Sequence, residues 1–184
     1  MSNRILSVGA LESSRMSKPF VDNHYDDYSR LADAYFQENN LEQAFDYYQK
    51  ALRSKVEILG EYHLSTAQSY HDLAFFYLSG EVFELAQTFF ESALSIREKL
   101  LEFNSLELAQ SYKHLGMCHY YLFNYEEAYG YLKSAIKIKE SVLDPLDQNL
   151  VIVRENLKEI EKRLPENRSQ NFFINLYYTI TRLL

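Results

Sequence analysis

Leu31-Ala32, Leu73-Ala74 and Leu115-Gly116 recur at a spacing of 42 residues. The same interval separates Ala44, Ala86 and Ala128; Ala51, Ala93 and Ala135; Tyr48, Phe90 and Leu132; and Tyr28, Tyr70 and Tyr112. Registers that hold one period without slippage restrict the chain to a stack of like units. Within each half of a unit the apolar residues fall three and four apart, which is a helical stripe, and two stripes alternate per period, so each unit is predicted to be a helical hairpin. The recurring alanines sit where side chains must be short for two helix backbones to approach, and the recurring Tyr and Phe fill the wider gaps between them.

First helices are expected near 25–38, 65–79, 106–121 and 147–164, and second helices near 41–58, 82–101 and 125–143. Asn39-Asn40, Ser79-Gly80 and Phe123-Asn124 fall at the hairpin turns, and Gly60 and Asp144-Pro145 fall between units, where residues tolerant of left-handed backbone or unable to continue a helix are needed. Five glycines and three prolines in 184 residues are few for a β-sandwich or a phosphate-loop enzyme, and fit long helices with short connections. A fourth unit begins with Val151, Leu157 and Ile160 and then loses the register, with Gln170 and Tyr177 where small residues belong. The expected fold is therefore all-α: three full hairpins at about 25–64, 65–105 and 106–146, a partial one at 147–164, a flexible segment 1–24 and a C-terminal amphipathic capping helix 165–184.

At Tyr28, Leu31, Ala32, Tyr35, Ala44, Tyr48 and Ala51 the sequence resembles the tetratricopeptide repeat family, whose units carry an aromatic, Leu-Gly/Ala and Tyr in the first helix and Ala, Phe/Tyr, Ala in the second. The second unit matches through Tyr70, Leu73, Ala74, Tyr77, Ala86, Phe90 and Ala93, and the third through Tyr112, Leu115, Gly116, Ala128, Leu132 and Ala135, with His119 in place of its Tyr. The usual period there is 34 residues; longer second helices give the 42 found here, as in the kinesin-light-chain-like variant. The resemblance implies a right-handed α-solenoid whose first helices line a concave face, and it implies a non-catalytic module that holds a peptide or protein segment there. By register the partner-binding residues are then Asp26, Ser29, Arg30, Asp33 and Phe36; His71, Asp72, Phe75 and Leu78; and Lys113, His114, Met117 and Tyr120, with Glu155 and Asn156 extending the row. Such a groove is mixed in charge and rich in aromatic and sulfur surface, which suits apolar anchors flanked by charge. Arg30 and Lys113 are its basic residues, set among Asp26, Asp33 and Asp72, so the family's basic clamp for a terminal carboxylate is not expected. A peptide-sensing regulator acting on a signalling partner is the alternative function.

The other chemistries weighed against these residues fare worse. His114 and Cys118 lie four apart on one helix, with His71 one unit away, but a small thiol on a repeat helix packs more often than it ligates, so no metal and no other cofactor is expected. No Ser-His-Asp order, Gly-rich phosphate loop or carboxylate pair stands out, and no enzymatic activity is expected. A formal charge of −7 opposes nucleic acid, and the 16 tyrosines and 12 phenylalanines fall mainly on packing positions without a basic stripe. The absence of any long apolar run excludes a transmembrane segment, and the single Cys118 points to a reducing, cytoplasmic setting. The C-terminal segment carries Phe173, Leu176, Tyr177, Ile180 and Leu184 on one face, read first as a cap on the stack and second as a homodimer surface.

Overall fold

The computed structural model describes residues 25–164. The segment 1–24 and the expected capping helix 165–184, with Phe173, Leu176, Tyr177, Ile180 and Leu184, lie outside the described residues. Seven helices follow one another: α1 (Tyr25–Gln37), α2 (Leu41–Leu59), α3 (Leu64–Ser79), α4 (Phe83–Leu100), α5 (Leu106–Tyr121), α6 (Tyr125–Val142) and α7 (Gln148–Glu161). Among the described residues there is no strand. Each helix packs on the one before and the one after it in the chain, most extensively within the pairs α1/α2, α3/α4 and α5/α6, so the fold is a stack of hairpins with α7 opening a fourth.

Short side chains make that stack possible. Ala32, Ala44, Ala74, Ala86, Ala93, Ala128 and Ala135 are wholly withdrawn from solvent and Ala51 nearly so, with Tyr48, Phe90 and Leu132 buried beside them. Gly116 shows how tight the fit is: a Cβ there would stand 2.8 Å from Leu132 Cδ2 and 3.2 Å from the Ala128 carbonyl oxygen, so α5 and α6 touch where α1 and α3 can still afford an alanine. An aromatic pair also repeats in every hairpin. Tyr35 stacks on Tyr47, Tyr77 on Phe89 and His119 on Tyr131, with ring centroids 5.4, 5.5 and 5.1 Å apart.

The hairpin turns share one backbone solution. Asn39, Glu81 and Phe123, spaced by 42, adopt φ of 59°, 60° and 63°. The following N–H groups of Asn40, Val82 and Asn124 then bond back to the carbonyls of Tyr35, Tyr77 and His119 at 2.8 to 2.9 Å, a Schellman closure. Gly80 was the residue of the second turn suited to this conformation, yet its φ is −89° and Glu81 takes the left-handed position, because the register fixes the turn one residue later. Gly60, at φ 87°, closes α2 between units, and its carbonyl accepts from Thr66 Oγ1 at 2.8 Å. Leu31 departs from its counterparts: Leu73 and Leu115 are buried by the preceding hairpin, whereas no described helix precedes α1 and Leu31 is 40% exposed.

Candidate functional site

The residues assigned to partner binding lie on α1, α3 and α5, and the structure separates them into three groups. In the first unit Asp26, Arg30 and Asp33 are exposed, but none is without a partner. Lys55 Nζ approaches Asp26 at 3.8 Å, Arg30 pairs with Asp27 at 3.3 Å, and the Tyr48 hydroxyl donates to Asp33 at 2.7 Å. Burial, then the bond and charge of Asp33, raise the Tyr48 pKa, so this hydroxyl keeps its proton and continues to donate. In the second unit Asp72 is half-buried and accepts from Gln68 Nε2 at 2.6 Å. The acids that seem in the sequence to crowd the surface are thus largely engaged by the protein itself.

The second group is an apolar seam crossing the units. Phe36 meets Phe75 with ring centroids 6.4 Å apart, and Phe75 meets His114 at 5.9 Å. Phe75 is 42% exposed, and it stands at the middle of this row of rings. Beyond it, between α5 and α7, a hollow of about 120 Å³ opens, lined by Met117, Tyr120, Tyr121, Asn156 and Ile160 over a floor of Gly116 and Leu132. Missing side-chain volume at Gly116 therefore serves both helix contact and this hollow. Leu78 is half-buried and packs against the core of the second and third units.

The third group does not face outward. His71 and His114 were expected on the open face, and the structure buries both, with His71 Nε2 and His114 Nδ1 2.9 Å apart. First helices of successive units approach closely enough at this register for the two side chains to meet each other. Phe90 flanks both rings, at 5.2 Å from His71 and 5.1 Å from His114. Burial, then Lys113, His71, Arg97 and Lys139, push the His114 pKa down to about 2, so His114 is neutral at physiological pH and its ring can share one hydrogen bond with His71. Cys118 lies in the apolar core with Ala74, Phe90 and Leu115, and burial, then Glu91, raises its thiol to about 12, which suits packing and opposes nucleophilic chemistry.

Reading the first helices alone misses a further series. Lys55, Arg97 and Lys139, again 42 apart, sit near the ends of α2, α4 and α6 and are almost fully buried. Their long side chains pass inward to the first helices. Lys55 Nζ donates to Ser29 Oγ at 3.2 Å. Arg97 donates to Ser111 Oγ at 2.7 Å, to the Glu107 carbonyl at 3.3 Å and to Gln68 Oε1 at 2.7 Å. Burial draws the Arg97 pKa down, against Asp72 and Glu107, which raise it; the guanidinium remains charged. The 42-residue period itself was the signal for this series.

The sequence profile of the tetratricopeptide repeat matches residues 28–99 and again 69–141. The chain belongs to the tetratricopeptide repeat family. Among solved structures it is similar to BtubC from P. vanneervenii, at 23% identity and a TM-score of 0.72 over 81% of this chain and 59% of that one. It is also similar to a putative kinesin light chain from Podosopora anserina with nearly identical TPR-like repeats, at 18% identity and a TM-score of 0.70 over 76% and 66% of the two chains. The first TPR of Spaghetti, bound to the HSP90 peptide SRMEEVD, superposes with a TM-score of 0.57 at 15% identity, over 75% of this chain and 90% of that one. The chain thus spans less than two thirds of the first two proteins, and at these identities the likeness is one of fold. No curated protein sequence is similar enough to this chain to match. In this repeat family the fold serves as a module for protein interaction, and among the described residues no helix is long and apolar enough to cross a membrane.

Proposed function

We propose that this tetratricopeptide repeat protein is a non-catalytic, cytoplasmic interaction module that holds a segment of another protein along α1, α3 and α5. The exposed seam from Phe36 to Phe75, leading to the hollow at Met117 and Tyr120, carries the reading. A soluble chain has little reason to leave a benzyl group and an adjoining apolar cavity open unless an apolar side chain fills them on binding. The Spaghetti domain, which shares the fold, is seen with a peptide bound, and that supports the same use here. The surrounding Asp26, Arg30, Asp33 and Asp72 would set orientation and on-rate more than affinity, since each already has an internal partner.

Selection of random dodecapeptides displayed on phage against the full chain tests this. Peptides with a bulky apolar residue are expected, and Phe75→Ala, Met117→Ala and Tyr120→Ala should each weaken a selected peptide by about 1 to 2 kcal/mol in fluorescence anisotropy. Binding indifferent to all three substitutions would place the partner on another face.

A further inference from the structure

Each of the three described hairpins turns through a left-handed residue, Asn39, Glu81 or Phe123, at φ of 59°, 60° and 63°. The next place in that series belongs to Pro165, whose ring holds φ at about −65°. The helix contact changes together with the turn. α5 offers its partner helix Gly116 against Leu132, and Tyr112 and His119 against Tyr131. One period later α7 carries Lys158, Arg154 and Glu161 at those places, and the small residues Ala128 and Ala135 give way to Gln170 and Tyr177. Neither the turn nor the contact of the first three hairpins can be repeated there.

The apolar face of Phe173, Leu176, Tyr177, Ile180 and Leu184 then needs another surface, and one adjoins the point where the chain leaves α7. Leu164 is buried in a cluster of α6 and α7 residues against which Tyr120 and Tyr125 pack, and the Arg163 guanidinium stands 5.8 Å from the Tyr120 ring. Phe83 and Tyr125 open α4 and α6 and Tyr121 closes α5, so all three lie along the hairpin-turn edge. Their rings form a row: Tyr125 to Tyr120 at 5.8 Å, Tyr120 to Tyr121 at 5.5 Å, and Tyr121 stacked on Phe83 at 4.6 Å. Phe123 joins the row through Tyr125 at 6.3 Å. It is costly twice, because a bulky side chain is strained at φ 63° and its ring is 75% exposed.

We propose that residues 169–184 form a helix whose apolar face covers this row, fastening the C-terminal segment to the hairpin-turn edge of the second and third units and not to the end of the stack. The dimensions agree. A helix over 169–184 extends about 24 Å, more than the ring-to-ring path from Tyr125 to Phe83, and residues 165–168 reach up to about 13 Å from Leu164. Charge agrees as well: Arg168 and Arg182 belong to the segment, and Glu81, Glu84, Glu126 and Glu127 stand exposed along the edge. Tyr120 and Tyr121 also line the hollow between α5 and α7, so the docked segment borders the place proposed for a partner's apolar residue.

The chain contains no tryptophan, so a single one reports the surroundings of the position it is given. Phe123→Trp and Tyr121→Trp report from the edge, and Lys158→Trp reports from the face that a fourth hairpin would cover. Each is made in the full chain, alone and combined with Leu176→Asp and Ile180→Asp, with folding of the stack checked by circular dichroism. Acrylamide quenching of the two edge reporters should rise about threefold when the segment's apolar face is broken, and that of Lys158→Trp should not change. Tyr121→Trp carries the test if Phe123→Trp does not fold. Edge reporters quenched alike with and without the two aspartate substitutions overturn the proposal. A comparable response of Lys158→Trp overturns it too, since the segment would then lie against α7. Protection that fades on dilution would assign the segment to a second copy and overturn docking within one chain.

Discussion

Arg97 in the second unit and Lys139 in the third stand in one register on equivalent helices, and both are nearly out of contact with solvent. Arg97 is surrounded by acceptors from α3 and α5, whereas the place of Ser111 in the next joint is taken by Val153. The two joints share their helix ends, with Leu101 and Leu143 both extended at φ of −107° and −111°. They differ in what the buried cation is given to bond. A repeat of this kind fixes where a side chain goes and leaves its partners to individual substitutions, so the electrostatic character of a joint can be reversed without disturbing the stack.

Exchanging each cation for a methionine of similar reach is the most direct attack on that contrast. Arg97→Met leaves Ser111, Gln68 and the Glu107 carbonyl without their donor and should cost about 2 to 3 kcal/mol in urea denaturation, while Lys139→Met should be neutral or stabilising by about 1 kcal/mol. Equal losses in the two variants would abolish the distinction.

The His71–His114 pair gives the joint between the second and third units a pH dependence. In the unfolded chain His114 takes up its proton near the ordinary value of 6.5, and in the folded chain only near 2. Between those values the unfolded state holds more protons, so this contribution to stability is complete above about pH 6.5 and is lost progressively as pH falls toward 2. From pH 7 to pH 5 the expected loss is about 2 kcal/mol, and His114→Gln should flatten that slope in denaturation curves taken at both pH values.

His119 provides a smaller test inside the third unit. It occupies the place of Tyr35 and Tyr77 in the stacked pair, yet both ring nitrogens are buried without a partner. His119→Tyr restores the residue used elsewhere and should raise stability by about 1 kcal/mol, seen as an upward shift in Tm. Smallest of all is the turn of the second unit, where Glu81 holds a left-handed φ of 60°. Glu81→Gly should stabilise by about 0.5 to 1 kcal/mol, and Asn39→Gly by less, because Asn tolerates this conformation better than Glu.

The stack was legible in the sequence because its determinants are steric and recur: Ala44, Ala86 and Ala128 can only serve where helices touch. Seven helix positions follow from the same pattern, each close to the segment expected for it. The left-handed residue of the second turn was not, since Gly80 offers the local preference and the register imposes Glu81. The surface of the first helices was legible as a list of positions and not as an environment. Phe75 does lie open, and Met117 and Tyr120 do share a hollow. His71 and His114 face each other between helices instead, which depends on an inter-unit distance that no single register encodes. The inward cations escaped notice because their Cα atoms belong to the second helices, and only the length of a lysine or arginine chain brings the charge to the first.

That the most extensive contacts join successive helices has a mechanical consequence. A tether drawn from either end would load the terminal pair first and leave the rest untouched, so extension should proceed in discrete steps. Each step releases 42 residues, a contour of about 140 to 150 Å before subtracting the folded hairpin's own length.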